Sequence, residues 1–353
     1  MTFEREFEES IKTLSERFRE ILPWSVGRDD VGLVKLDEDE LLLVNVDKTS
    51  SRPIGLELGI MDWYEYGRYA VFQNITDILS SSGTPIAFAL LLQLPEKNSS
   101  IFQQIMNGIL SELKRYNITF LGGDTKPGKS VSIVGTMLGI TTPNKYSPRW
   151  RAKPGDLVYL TGFVGLFSLA GYMFSKKLLE KCKAERKTLE DFILRPKIPF
   201  EEAKIIIQAG ASAGIDISDG LSVDLYKICH ESKVDIAIYL DKIPIHPTLS
   251  RLSNLLRVDP YRFIFNVGGD WQIVYTVPKT NARLIEDLKK KFHMQFPIQI
   301  GKVARESLHG KVEVYKSSGE YLGILKERGH LSEFENIPFT EEIALGVDED
   351  VLS

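Results

Sequence analysis

The sequence predicts an α+β protein of two domains, and three observations support this prediction. Helical periodicity alternates with runs of β-branched residues along most of the chain. Two neighbouring predicted strands, near 32–36 and 40–47, are joined by the short acidic segment LDEDE, which favours a hairpin over a parallel crossover. The length of 353 residues is enough to form two hydrophobic cores.

The same periodicities place the individual elements. Helices are predicted near residues 4–21, 66–82, 98–116, 200–210, 219–231 and 280–292. Strands are predicted near residues 32–36, 40–47, 86–94, 118–121, 131–140, 157–161, 234–239, 272–277 and 297–302. The polar stretch PNKYSPRWRAKPGD, residues 143 to 156, separates two such sets and is the predicted domain junction. The predicted division is a first domain at 1–146, a second at 147–338 and an acidic tail at 339–353.

Composition limits the classes of function. The chain is 43% hydrophobic and 26% charged, and its formal net charge is −4 without a basic arm, which argues against a nucleic-acid partner. Its longest apolar run, IAFALLLQLP, is too short to span a bilayer, and the N-terminus has no signal-peptide apolar core. Cys182 and Cys229 lie far apart without metal-ligand spacing. We expect a cytoplasmic protein without a membrane partner.

One segment matches the phosphate-binding loop of the P-loop ATPases. Residues 123 to 130, GDTKPGKS, fit the pattern G-x-x-x-x-G-K-[ST]. That loop must open a helix, whereas the following VSIVGTMLGITT is typical of a strand. We therefore favour a turn between two strands, in which Lys129 is a solvated residue, over a P-loop ATPase.

Aspartates recur at the ends of apolar segments. Each alone is typical of a turn, but several that converge would repel one another unless cations neutralised them. Mg²⁺ prefers such oxygen ligands and commonly shares them with substrate phosphates. The stretch GIDISDGL is the most informative, because Ser218 or Asp219 is predicted to cap a helix while Asp216 lies within the apolar run. The pattern indicates a Mg²⁺–nucleotide site, provided that these residues meet in the fold.

Several motifs, taken in order, resemble the thiamine-monophosphate kinase family, which belongs to the superfamily of aminoimidazole ribonucleotide synthetase. They are NITDILSSSGTP, LGGDTK, PRWRAKPGDLVYLTG, DISDGLSVDL and VGGDWQIVYTVP. The resemblance implies the two-domain α+β fold of that superfamily, with first domains pairing into a β-barrel in a homodimer and ATP between the domains. It also implies transfer of the γ-phosphate of ATP to a small-molecule acceptor, thiamine monophosphate.

The resemblance assigns roles to particular positions. The implied metal ligands are Asp30, Asp47, Asp77, Asp124, Asp216 and Asp219, of which Asp124 and Asp216 are the catalytic candidates. The implied nucleotide contacts are Gly122, Gly123, Arg149 and Ser218. The guanidinium of Arg149 suits phosphate, although a salt bridge between the domains is an alternative role.

Departures from the family concentrate at the acceptor positions. Asp47 is followed by KTSSRPIG, which lacks the expected histidine, and RGHLSEF has Gly329 and His330 where the family has a tryptophan motif. Asn45 and Val46 replace two threonines. The segment GGDWQIVY replaces a longer Glu-Asp motif. The acceptor candidates that remain are Lys48, Arg52, Asp270 and Trp271. Trp271 is equally compatible with ring stacking and with a core position. Two alternative functions stay open: a paralogue with another acceptor, and a non-catalytic nucleotide-binding maturation factor.

Overall fold

The computed structural model describes residues 10–11, 28–50, 53–95, 99–178 and 182–327. Four predictions concern residues outside this range: most of the helix near 4–21, the acceptor candidate Arg52, the Gly329–His330 segment and the acidic tail.

The first sheet contains five strands in the order β1-β2-β5-β3-β4. The strands are β1 (Gly32–Lys35), β2 (Leu41–Lys48), β3 (Thr84–Leu94), β4 (Thr119–Pro127) and β5 (Ser132–Thr141). Neighbours are antiparallel except β3 and β4, which run parallel. The predicted hairpin of β1 and β2 is confirmed. The strand predicted after GDTKPGKS is also confirmed, because β5 follows β4 directly and no helix opens there.

Three helices lie within residues 28–50, 53–95 and 99–141: α1 (Ile54–Glu57), α2 (Trp63–Ser80) and α3 (Ser99–Arg115). Helix α2 begins after Asp62, whose carboxylate accepts a hydrogen bond from the Glu65 backbone N–H at 2.8 Å. Almost every side chain of α2 is buried, because the helix lies between the two sheets and contacts strands of both. This position makes α2 the central element of the molecule.

The second sheet contains seven strands in the order β12-β11-β8-β10-β6-β9-β7. They are β6 (Leu157–Leu160), β7 (Ala213–Asp216), β8 (Val234–Tyr239), β9 (Ile273–Val277), β10 (Ile298–Glu306), β11 (Val312–Tyr315) and β12 (Tyr321–Ile324). Only the β8–β11 pair is parallel. Neither sheet closes on itself in the described chain.

Seven further helices of the described part of the chain pack around the second sheet. They are α4 (Leu166–Ser175), α5 (Lys183–Leu194), α6 (Phe200–Ala209), α7 (Leu221–Ser232), α8 (Pro247–Leu256), α9 (Tyr261–Asn266) and α10 (Ala282–Lys291). Residues 142 to 156 connect the two sheets and include a 3₁₀ turn at Arg149–Arg151. Within the described ranges, no helix has the length and apolar character needed to cross a bilayer.

Candidate active site

The site begins where α2 packs against β2. Alternate residues of β2 point inward, so Asn45 and Asp47 continue the face that Leu43 contributes to the core. Gln73 and Asp77 lie one helical turn apart on α2 and meet these two residues. The Gln73 amide donates to Asp47 Oδ2 at 2.8 Å, and the Asn45 amide donates to Asp77 Oδ2 at 2.7 Å. These two hydrogen bonds fix the orientation of both carboxylates.

A carboxylate of the second domain completes the arrangement. Asp216 is the last residue of β7, and the Thr76 hydroxyl on α2 donates to its Oδ2 at 3.1 Å. Asp30 lies in the segment before β1. Carboxylate oxygens of Asp30, Asp77 and Asp216 all lie within 4.8 Å of one another. Three of the six predicted metal ligands therefore meet at the junction between the domains.

The electrostatics of this cluster favour a bound cation. Burial raises the pKa of Asp77 well above its ordinary value, and the neighbouring Asp216 and Asp47 carboxylates raise it further. Burial likewise raises the pKa of Asp216, although Lys227 and Arg149 oppose the effect. Asp30 Oδ2 is buried and has no hydrogen-bond partner among the described residues. Clustered, buried and incompletely paired carboxylate oxygens fit a hard divalent cation such as Mg²⁺.

Arg149 reaches this cluster from the segment that connects the sheets. Its Nη2 donates to Asp30 Oδ1, and its Nε lies 3.9 Å from Asp29 Oδ1. Its backbone carbonyl accepts from the Ser232 hydroxyl at 2.6 Å, which ties the turn to the end of α7. Tyr146 donates to the other Asp29 oxygen at 2.9 Å. Burial raises the pKa of Asp29 to about 7, against the lowering effect of Arg149. The salt-bridge role considered for Arg149 is thus present in the fold.

The start of α7 differs from its prediction. Gly220 is the N-cap residue and no side chain caps the helix, so the predicted cap by Ser218 or Asp219 is wrong. The reason is the left-handed φ of 110° at Gly220, which inserts a bend between these side chains and the first helical turn. Asp219 instead accepts a hydrogen bond from Lys227, and its backbone N–H donates to Asp224 Oδ2 at 3.1 Å.

The GGDT segment lies on the edge strand β4, apart from the three-carboxylate cluster. Asp124 pairs in register with Leu91 of β3, and both side chains are exposed on the sheet face opposite α2. Lys126 Nζ lies 3.2 Å from Asp124. Gly122 has a φ of 93°, and a Cβ on Gly123 would lie 1.9 Å from the Leu90 carbonyl oxygen. These two glycines are therefore required by the bulged strand itself.

The acceptor candidates have separate environments. Both oxygens of Asp270 accept hydrogen bonds from the start of α4, from Gly165 N–H at 2.7 Å and Phe167 N–H at 2.9 Å. Trp271 is buried and packs edge-to-face on Tyr69 of α2, with 5.2 Å between ring centroids. This is the environment of a core aromatic. Lys48 is exposed at the end of β2.

Several contributors to the site escaped the sequence analysis. Thr76, Gln73 and Lys227 hold the predicted aspartates, and although Thr76 lies within NITDILSSSGTP, no motif indicated any of these three contacts. The spacing of Gln73 and Asp77 (i, i+4) was an available signal, as was that of Asp224 and Lys227 (i, i+3). The half-buried Ser218 stays a predicted nucleotide contact.

Comparisons with known proteins agree with this architecture. Residues 28–141 match the N-terminal domain of AIR synthase related proteins, and residues 153–311 match the C-terminal domain of the same family. A thiamine-monophosphate kinase from Pyrococcus horikoshii is 33% identical over 260 residues, which cover 72% of this chain and 77% of the relative. A thiamine-monophosphate kinase from Buchnera aphidicola is 30% identical over 268 residues, covering 76% and 81%.

Solved structures share the fold. The structure of AaThiL complexed with AMPPCP and TMP superposes with a TM-score of 0.70 at 22% identity, covering 89% of this chain and 95% of that chain. A HypE–HypF complex contains a chain with a TM-score of 0.68 at 18% identity, covering 89% and 98%. At these identities the likeness establishes the two-domain fold alone.

Proposed function

We propose that this protein, which belongs to the thiamine-monophosphate kinase family, transfers the γ-phosphoryl group of ATP to thiamine monophosphate. The observation that carries the proposal is the cluster of Asp30, Asp77 and Asp216 at the junction between the domains. Phosphoryl transfer needs charge neutralisation and alignment more than covalent help from the protein. A site made of oriented carboxylates and one guanidinium supplies these two requirements.

Asp30, Asp77 and Asp216 are the residues that would hold Mg²⁺. When bound, Mg²⁺ supplies neutralisation of the phosphate oxygens of the nucleotide and the acceptor. The protein's own contribution is to hold the carboxylates in place before the ligands arrive. Asn45 fixes Asp77 and Thr76 fixes Asp216 by the hydrogen bonds described above. Neutral hydrogen-bond donors of this kind orient a metal-binding carboxylate without placing a positive charge beside it that would repel the cation.

Arg149 is proposed as the phosphate-binding residue of the site. Its guanidinium contacts Asp30 and lies near Asp29. A cation at Asp30 would compete for the same carboxylate, so the guanidinium would become available to an incoming phosphate. Because Ser232 anchors the Arg149 backbone, this change requires movement of the side chain only.

The acceptor is proposed to approach from the exposed end of β2. Lys48 directly follows Asp47 there and is solvent-exposed, so its ammonium is accessible to the phosphate of thiamine monophosphate. Asp270 and Trp271 support this region indirectly. Asp270 accepts hydrogen bonds from the start of α4, and Trp271 packs on Tyr69.

A homodimer paired through the first sheet is also proposed, with the two copies forming a shared barrel. The outer face of this sheet exposes large apolar side chains: Val46 is 63% exposed, Leu121 57% and Leu91 44%. Apolar residues grouped on one open sheet face are typical of an interface. The edge strand β4 carries one of them and is available for pairing.

The deciding experiment is a phosphotransfer assay with γ-labelled ATP, Mg²⁺ and thiamine monophosphate. We expect label to appear in thiamine diphosphate, and no label in the product when EDTA replaces Mg²⁺. Thiamine and an aminoimidazole ribonucleotide serve as comparison acceptors. Thiamine lacks the phosphate of thiamine monophosphate, whereas the ribonucleotide carries a phosphate on a different ring system. The two compounds therefore test recognition of the phosphate and of the ring separately. Transfer to another acceptor in preference to thiamine monophosphate would overturn the proposed substrate. Tight ATP binding without transfer to any of them would overturn the proposed activity.

A further inference from the structure

Lys227 on α7 has an unusual position beside the acidic cluster. Its ammonium contacts Asp219 Oδ2 and lies 3.1 Å from Asp224 Oδ1. The side chains of Asp219 and Asp224 are 4% and 0% exposed, so both carboxylates are removed from water. Buried carboxylates are costly without a positive partner. Lys227 supplies that partner to both of them at once.

The charge of Lys227 also reaches the proposed cation site. Burial raises the pKa of Asp216, and Lys227 is the strongest influence that lowers it again. Burial also raises the pKa of Asp77, and Lys227 counteracts that effect as well. Lys227 therefore acts electrostatically on Asp77 and Asp216 while its ammonium hydrogen-bonds to Asp219 and Asp224.

We propose that Lys227 takes the place of a divalent cation beside Asp219, so that the cation site of this chain is limited to Asp30, Asp77 and Asp216. This inference concerns the same site as the proposed function and rests on it for the identity of the cation. It makes Lys227 a positioning residue that sets how many divalent cations the site accepts.

Two physical reasons support the proposal. A divalent cation binds a carboxylate oxygen directly, and Asp219 Oδ2 already accepts from the Lys227 ammonium. A cation at that oxygen would also face the ammonium charge at short range. Displacement of Lys227 is opposed by its second partner, because Asp224 is fully buried and pairs with no other cationic side chain among the described residues. The ammonium is therefore held in place independently of Asp219.

The first test measures equilibrium binding of Mn²⁺, alone and with the non-hydrolysable nucleotide AMPPCP, to the full chain by calorimetry. Wild type and Asp219→Asn should bind the same number of Mn²⁺ ions with dissociation constants within about threefold of each other. Asp77→Asn should weaken binding by about tenfold or more, the range seen when groups that support a metal site are lost. A loss in Asp219→Asn equal to that in Asp77→Asn would overturn the proposal.

The second test removes the Lys227 ammonium that contacts Asp219. Lys227→Met should bind one additional Mn²⁺, and combining it with Asp219→Asn should remove that additional ion. Lys227→Arg should retain the wild-type stoichiometry, since it keeps the charge. Lys204→Met is the matched control, because Lys204 lies on the exposed side of α6 and should leave stoichiometry unchanged. No additional ion in a folded Lys227→Met protein would overturn the proposal.

These measurements distinguish a change in the number of bound cations from a loss of folding or of phosphotransfer. If Lys227→Met does not fold, Asp219→Asn decides alone, because it keeps the Lys227–Asp224 pair intact. Mn²⁺ stoichiometry requires no turnover. Failure of phosphotransfer to thiamine monophosphate with the expected stoichiometries would therefore overturn the proposed function and leave this inference standing, whereas the reverse result would overturn only the inference.

Discussion

Asp77→Asn should stabilise the cation-free protein while it abolishes stabilisation by cation and nucleotide. Asp77 and Asp216 have carboxylate oxygens no more than 4.8 Å apart. Two unit charges at that distance repel by about 3.5 kcal/mol at an effective dielectric constant of about 20. Asparagine has nearly the same shape and retains an oxygen that can accept the hydrogen bond from Asn45. Because the raised pKa favours the protonated form of Asp77 in the folded protein, the gain is smaller than this full repulsion, and we expect roughly 1–3 kcal/mol.

The stability that Asp77→Asn gains over wild type should depend on pH. The direction of the Asp77 pKa shift determines whether this gain grows or shrinks as the pH rises. The pKa of Asp77 is higher in the folded protein than in the unfolded chain, so folding favours proton uptake at this group. Its favourable contribution is complete below the unfolded pKa of about 4 and is lost as the pH rises toward the folded value. Wild type should thus lose stability as the pH rises above the unfolded pKa of about 4, and Asp77→Asn should lose less. Asp29, whose pKa burial raises to about 7, is present in both proteins and adds a slope of the same sign to each.

Thermal and urea unfolding in EDTA, repeated with Mg²⁺ and AMPPCP, measure both effects. A ligand at about 100 times its dissociation constant should stabilise wild type by about 2.7 kcal/mol, and this increment should be absent in Asp77→Asn. Asp62→Asn is the matched control on the same helix. Asparagine caps a helix as well as aspartate does, so this variant should keep the wild-type response. A destabilised cation-free Asp77→Asn protein, or one that keeps the full ligand response, would refute the reasoning.

Two further predictions concern residues around the site. Asp270→Ala should lower the free energy of unfolding by about 1–2 kcal/mol, because two N–H groups at the start of α4 lose their acceptor, whereas the exposed Asp287→Ala should change it little. Unchanged stability with a raised KM for thiamine monophosphate would instead assign Asp270 to acceptor binding. Leu121→Lys should shift the protein from dimer to monomer in sedimentation. The substitution removes roughly 1.5–3 kcal/mol of free energy from apolar burial per copy. Leu284→Lys, on the exposed side of α10, should leave the dimer unchanged. A monomeric wild type, or a variant that dimerises as wild type does, would contradict the proposed interface.

The fold was predictable where periodicity or turn chemistry was strong. Every helix and strand predicted within the described residues is present, and their ends lie within a few residues of the predicted ones, apart from the longer extensions of β4 and β10. Helix α4 was missed because LFSLAGYMFS is apolar on all sides, and buried helices of this kind carry no amphipathic signal. Strand β7 was not assigned bounds because AGID has only four residues and no alternation of apolar and polar side chains.

The site was predictable as a set of residue types, and less so as a geometry. Strand-end aspartates indicated a cation site, and Asp30, Asp77 and Asp216 do meet. Asp124 carries the same local signal, but it projects from the outer face of the sheet with Leu91. The side of a strand on which a residue lies depends on register, and the bulge at Gly122 changes that register locally. The position of Asp124 within its motif therefore could not predict on which face of the sheet its side chain lies.

The position of α2 explains why this site lies between the domains. Thr76 and Asp77 are consecutive, so their side chains leave the helix about 100° apart. Thr76 holds Asp216 of the second domain, whereas Asp77 is held by Asn45 of the first. The Tyr275 hydroxyl on β9 also donates to the Leu79 carbonyl at 2.6 Å, which fixes the end of the same helix to the second sheet. A relative rotation of the domains would thus separate Asp216 from Asp77. Binding a cation between them must then favour one domain orientation, so ligand affinity and interdomain stability are coupled at this helix.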